Sequence, residues 1–351
     1  MKNMEVKKLL TGLAGQMSVV GFEAYNEAAL TALMEPYFDE HEYDAVGNHI
    51  FIRRCGRKNA KKLFIDTHYD EVGLMVKGIT DEGFLRVCGQ GGVDARILPA
   101  AEVVVYGTKR LPGIVLTKPK ELMTGDEGAR LVPVTELLVD TGLTKEEAEK
   151  AAPIGTPVGF EPVFTELAGG YLAGKGFDNK CSAAAAVAAI ADLDMNALDC
   201  DIYLSLSARE EVGQRAVAAA AYRICPDAAI VLDVTFGYAP EGKKPGDSDM
   251  KGGPVVSLSA ILDKSFTDFI LETAHKENIP VQTVVEATGT GTHADELVYT
   301  TGGIPTVLIG IPLWFMHTAN ETLNLKDVED TVHLLRAVIR KKFGLKSGRK
   351  R

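Results

Sequence analysis

The sequence predicts an α/β fold: a mainly parallel sheet with helices on both faces, plus an inserted β-rich, barrel-like unit. Two observations carry this expectation. Strand-like runs alternate with helical patterns from about residue 174 to the end, as in sheets covered on both faces. Between residues 71 and 162 the texture changes to short β-rich runs punctuated by Gly and Pro, spaced as in a small barrel.

The elements follow in order. Residues 3–17 read as an opening helix, because Leu9, Leu10, Leu13 and Met17 recur at helical spacing. Lys2, Lys7 and Lys8 before LLTGLAGQMSVVG imitate a secretory signal, but Gly and Gln dilute the apolar stretch, and a helix of the fold is the expectation. A second helix is expected over 24–36, ending before Pro36. Leu63-Phe64-Ile65 is a short buried strand that runs into Thr67-His68-Tyr69-Asp70.

GLMVKGI, GFLRVCG, AEVVVYG and LPGIVL then supply the barrel-like strands, with TKEEAEKA as a short helix among them. GKGFDNKCSAAAAVAAIADL opens a long Ala-rich helix near Asn179 or Cys181. After it come a strand over 202–207, a helix over 213–222, the strand AAIVLDV, a helix over 264–277, the strands VQTVVEA and TVLIGI, and a last helix from Lys326 to Lys342. The ending KKFGLKSGRKR reads as a frayed, solvated basic tail. These elements predict one α/β domain formed by residues 1–70 and 163–351, with the insertion at 71–162.

At 351 residues, 46% hydrophobic and 25% charged, the chain has the composition of an ordered globular protein. A net charge of -10 argues against a nucleic-acid face, which needs a basic stripe, and disfavours anionic membranes. No run approaches the ~20 apolar residues of a membrane span. The five cysteines are widely spaced with no CxxC, which suits reduced thiols in the cytoplasm.

The chemistry concentrates in a few places. The pair Glu210-Glu211 follows the strand-like run ending at Ser207. Two adjacent carboxylates at such a junction are costly unless a cation or proton uses them. His68 and Asp70 follow KLFID, Asp233 ends AAIVLDV, His317 follows TVLIGIPLWFM, and Asp178 precedes the Ala-rich helix. In open α/β sheets, sites form at the carboxyl ends of strands, so these residues have a physical reason to meet.

Singly, each has a local alternative. Asp178 could cap a helix, Asp233 a turn, and His317 could be a hydrogen-bonded loop histidine. Two histidines with carboxylates and no Cys suit Zn, Co or Mn better than Ca or Mg, and they suffice for two metals if one carboxylate bridges.

DTHYDEVGLMV, GKGFDNKCSA, SAREEVGQRA, VLDVTFG and MHTANET, in this order, resemble the tetrahedral aminopeptidase family of dinuclear metallopeptidases. That family includes glutamyl and deblocking aminopeptidases and relatives labelled endoglucanase. The resemblance covers nearly the whole chain, the β-rich unit included. It implies that His68 and Asp233 bind one metal, Glu211 and His317 the other, and that Asp178 bridges them. Asp70 would orient His68, and Glu210 would be the general base in hydrolysis of an N-terminal peptide bond. It also implies a homododecamer built through the inserted unit.

Two departures bear on substrate preference. Relatives read GGTDA where this chain reads GTGTHADEL, so His293 stands at a commonly acidic position, either as a solvated loop histidine or as part of the substrate pocket. Trp314 and Phe315 stand where relatives often carry an Arg-Tyr pair, replacing a charged contact with apolar surface.

Other readings stay open. A glycoside hydrolase would use Glu210 and Glu211, but adjacent residues on extended backbone point to opposite sides, and the single Trp offers little sugar platform. A metal-free scaffold on the same fold, or a dinuclear deacylase or carboxypeptidase, are the remaining alternatives.

Overall fold

The computed structural model describes residues 3–124, 131–238 and 248–345. The chain opens with α1 (Asn3–Ala14) and α2 (Glu27–Met34), followed by the strands β1 (Glu40–Tyr43), β2 (His49–Arg53) and β3 (Lys61–His68). Six strands then close a barrel: β4 (Gly73–Ile79), β5 (Leu85–Gln90), β6 (Glu102–Tyr106), β7 (Arg110–Val115), β8 (Leu138–Asp140) and β9 (Pro157–Phe160), in the order β4-β5-β8-β7-β6-β9. Helix α3 (Lys145–Ala151) sits among them, opened by a capping box of Thr144 and Glu147.

The rest comprises β10 (Thr165–Leu167), β11 (Tyr171–Gly174), α4 (Phe177–Ala191), β12 (Cys200–Ser207), α5 (Ala216–Ile224), β13 (Ala228–Phe236) and β14 (Val255–Ser259). It ends with α6 (Lys264–Glu277), β15 (Gln282–Glu286), α7 (Ala294–Leu297), β16 (Thr306–Leu313), β17 (Glu321–Asn324) and α8 (Leu325–Phe343).

The main sheet runs β1-β2-β12-β3-β13-β16-β14-β15. Four of its seven neighbouring pairs are parallel, and the antiparallel ones lie toward the two edges. Alternation along each central strand feeds two separate cores. Leu63 and Ile65 of β3 join the core under α1, α4 and α8, whereas Phe64 joins that of α5 and α7. Helix α4 is apolar all round because it is buried all round: Ala183 through Ala189 are inaccessible, and their small side chains let α1 and α8 approach closely. The barrel has its own core, with Val76, Val87, Val105 and Val139 inside.

Several expectations need correcting. The helix predicted over 24–36 is three pieces, because 3-10 turns at Glu23–Asn26 and Glu35–Tyr37 flank α2, and Pro36 sits inside the second. Helix α5 begins at Ala216, not 213, since Glu210–Val212 forms a turn of its own and Gly213 and Gln214 take positive φ. Asp233 does not end its strand; β13 runs on to Phe236 in register with β16. The basic tail is ordered at its start, where Leu345 donates its backbone N–H to the Ala197 carbonyl at 2.9 Å. Residues 346–351 of that tail lie outside the described residues. Among the described residues no helix is long and apolar enough to cross a membrane, and all five cysteines are free thiols.

Candidate metal centre

Four strands and one helix start deliver the site. His68 is the last residue of β3, and Ser207, its register partner on β12, leads into the turn that carries Glu210 and Glu211. Asp233 lies on β13, His317 follows β16, and Asp178 stands at the non-helical entry of α4. The parallel pairing of β12, β3, β13 and β16 brings these otherwise distant positions to one end of the sheet.

Two triplets result, His68–Asp178–Asp233 and Asp178–Glu211–His317, each with one ligand atom per residue within 4.8 Å of the others. Asp178 is common to both, and its two oxygens divide between them. Oδ1 lies 2.9 Å from His68 Nε2, and Oδ2 lies 3.3 Å from His317 Nε2. His68 Nε2 is also 3.7 Å from Asp233 Oδ1, and His317 Nε2 is 3.3 Å from Glu211 Oε2. A set of imidazole nitrogens and carboxylate oxygens without sulfur is what Zn, Co or Mn take.

The charges of this cluster are out of balance without a cation. Burial, then the neighbouring Asp178, pushes Glu211 up to about 9. Burial likewise pushes Asp233 up to about 8. For Asp178 burial opposes ionisation, but hydrogen bonds with His317 and His68 hold its carboxyl below the ordinary range. Burial would lower His68 and His317, yet their carboxylate partners raise both, His317 to about 9. The residues therefore fit divalent metal, which would replace the protons this site otherwise gathers.

Asp70 touches His68, as expected of a residue that orients it, and also holds the neighbouring turn. His68 Nδ1 meets the Asp70 backbone oxygen at 3.0 Å, while the nearer carboxylate oxygen is 3.6 Å away. The carboxylate also accepts the backbone N–H groups of Glu210 and Glu211, each at 3.0 Å. Those two glutamates are not on extended backbone, which removes the argument that they must point apart. They sit in a 3-10 turn after Arg209 at φ 61, and both line the same cavity.

That cavity, of about 520 Å³, is lined by the site residues together with Val234, Phe236, Val284, Leu308 and Met316. Trp314 is not among its lining residues: it stacks on Tyr171 at 5.2 Å and pairs with Thr322 to close the loop that presents His317. Phe315 is exposed. His293 is not a solvated loop residue. It is 1% exposed, and its Nδ1 lies 2.7 Å from Asp66 Oδ2, because the loop before α7 folds down onto β3.

Sequence reasoning missed Glu321, although it lies within MHTANET. Fully buried, it accepts the backbone N–H of Asp178 at 3.0 Å through Oε2 and that of His317 at 2.9 Å through Oε1. Nothing in NETLNL, a mostly polar run, marks this carboxylate as buried. Gly91 and Gly92 were missed as well. A Cβ on Gly92 would stand 2.9 Å from His317 Nδ1, and one on Gly91 3.1 Å from Glu211 Cβ, so the loop after β5 approaches the site where only glycine fits.

Known proteins share this arrangement of fold and sequence. A family described as M42 glutamyl aminopeptidase matches residues 47–334. The lysyl aminopeptidase of Pyrococcus furiosus is 30% identical over 312 residues, covering 88% of each chain. An aminopeptidase from the archaeon Desulfurococcus kamchatkensis superposes with a TM-score of 0.89 at 28% identity, covering 97% of this chain and 96% of that one. The TET1 peptidase of Pyrococcus horikoshii, which can assemble into a tetrahedron or a large octahedral shell, has a TM-score of 0.83 at 28% identity, covering 95% of this chain and 99% of its own.

Proposed function

This chain belongs to the M42 glutamyl aminopeptidase family and is an aminopeptidase, and on that premise we propose that it works with two divalent metal ions and Glu210 as general base. The observation that carries the reading is the position of Asp178, whose carboxylate is shared between the two ligand triplets. His68 and Asp233 would hold one ion, Glu211 and His317 the other, and Asp178 both.

Bound there, two cations would acidify a shared water and polarise the scissile carbonyl. The chain's own residues supply the rest. Glu210 takes the proton of the attacking water and returns it to the leaving amine. Burial raises its carboxyl above the usual range, which suits a group that must both accept and release a proton. Its orientation is supported from two sides: Asp70 holds its backbone N–H, and Gln214 Nε2 donates to its Oε1 at 3.1 Å. Val234, Phe236 and Met316 offer apolar surface to the substrate.

We also propose that residues 71–162 form an inserted domain that completes the pocket and mediates assembly into a homododecamer. The approach of Gly91 and Gly92 to Glu211 and His317 supports the first role, and the resemblance to tetrahedral peptidases the second. Five free thiols support a cytoplasmic setting.

The test joins metal analysis to peptide digestion. We expect about two divalent ions per chain, release of free amino acids from unblocked peptides, no release from N-acetylated ones, and loss of activity with chelator. Activity on blocked peptides, or reducing sugar released from glucans without amino acids from peptides, overturns the proposal. A sedimentation mass near that of one subunit overturns the dodecamer.

A further inference from the structure

His293 closes a buried polar chain that the proposed chemistry does not use. Ser205 and Ser207 share a hydrogen bond of 2.7 Å, Ser207 Oγ donates to Asp66 Oδ1, and Asp66 Oδ2 faces His293 Nδ1 at 2.7 Å. All four residues are at most 1% exposed. Asp66 points to this side because it shares the sheet face of Phe64, which packs under α5 and α7. The loop before His293 is pinned as well, since Asp295 accepts the backbone N–H of Thr290 and of Gly291.

A carboxylate accepts only, so the bond to Asp66 requires the hydrogen on Nδ1 and fixes the ring's rotation. That leaves Nε2, which is buried and has no hydrogen-bond partner. Leaving such an atom unpaired carries a desolvation penalty. A purely space-filling residue would avoid that cost.

The neighbourhood narrows what Nε2 serves. The His68 ring stands edge-on at 6.3 Å, but both its nitrogens are engaged, by the Asp70 carbonyl and by Asp178. Glu210 is the remaining site residue whose charge acts on His293, and only its Oε1 has a side-chain donor, Gln214. Thr290 and Thr292, just before His293, line the cavity, whereas His293 is absent from its lining.

We infer that His293 is a positioning residue for Glu210: Asp66 orients the ring, and Nε2 steadies the Glu210 carboxyl through one water. This rests on the reading of Glu210 as general base, and a buried partner of this kind is worth about 10- to 100-fold in activity.

The test uses two amides that each mimic one ring nitrogen. In His293→Asn the amide stands where Nδ1 was and keeps the Asp66 contact. In His293→Gln it reaches the position of Nε2. We expect His293→Asn to retain the parent's melting temperature and metal content, to lower kcat about 10- to 100-fold, and to leave KM within about threefold. His293→Gln restores part of that loss.

Parent-like kcat in His293→Asn overturns the inference, as does a loss of kcat that follows loss of metal. Should His293→Asn not fold, Asp66→Asn decides: kcat lowered with metal retained supports the inference, and parent-like kcat overturns it. The metal-loaded parent is assayed first. If it releases no amino acids, the aminopeptidase reading fails together with this inference, whereas an active parent with an equally active His293→Asn sinks the inference alone.

Discussion

Asp70 Oδ1 accepts the backbone N–H of Glu210 at 3.0 Å, and the same buried carboxylate holds Glu211 through Oδ2. A single acid on the β3 end thereby fixes the turn after β12. Replacing it by Asn leaves one acceptor oxygen where two served, so one buried N–H loses its partner. We expect Asp70→Asn to lower kcat about 10- to 100-fold with unchanged secondary structure by circular dichroism. Full activity would show that the turn holds itself.

On the proposed mechanism, Glu210 and Asp178 separate base from ligand. Glu210→Gln is expected to keep both metal ions and to lose at least about 100-fold in kcat. Asp178→Asn is expected to lose metal as well, because its carboxylate belongs to both triplets. Mass spectrometry of metal content beside turnover distinguishes them, and equal metal loss in both variants would contradict the division of roles.

Glu321 is the counterpart of Asp70 on the other side of the site, holding the N–H groups of Asp178 and His317. Glu321→Gln keeps one acceptor oxygen and places an NH₂ against a backbone N–H. We expect metal affinity to fall about 10- to 100-fold, measured by competition with a chromophoric chelator. Parent-like affinity would reduce Glu321 to a packing role.

Metal loading should release protons. In the metal-free chain Glu211 and Asp233 are raised to about 9 and about 8, chiefly by burial, so both hold protons at neutral pH. Cations must displace them, so apparent affinity falls as pH falls and the release declines above about pH 9. Calorimetry in buffers of different ionisation enthalpy measures this. Absence of proton release at pH 7 would refute it.

His49 gives stability a separate pH dependence. Burial, followed by the adjacent His41, pushes its pKa down to about 4, against about 6.5 unfolded. Between those values the unfolded chain binds a proton that the folded chain refuses, so stability falls as pH drops from about 6.5 toward 4. His49→Phe, among the rings of His41, Phe51 and Tyr69, should flatten that part of the melting-temperature profile. An equally steep profile would place the effect elsewhere.

Much of the site was legible because its chemistry is carried by residue type and strand-end position. His68, Asp178, Glu211, Asp233 and His317 each stand out in the chain, and the structure brings them within ligand distance. Glu321 and Gly92 did not stand out, because their importance lies in neighbours far away in sequence. The solvated alternative for His293 failed for the same reason: GTGTHADEL looks like a loop until Asp66 is placed beneath it. Short strands such as β10, β11 and β17 carry too few residues for a periodic signal.

By itself the sequence determined the α/β class, the β-rich unit between His68 and Asp178, and the residues able to bind metal. Those follow from local periodicity and side-chain chemistry, which each segment carries with it. Only the tertiary structure decided how the site is held. The pairing of β11 with β17 sets Glu321 opposite Gly174 and so beside the start of α4. The pairing of β3 with β12 sets Ser207 opposite His68, two residues short of Asp70 and three short of Glu210. Register is a relation between strands, and no single segment encodes it.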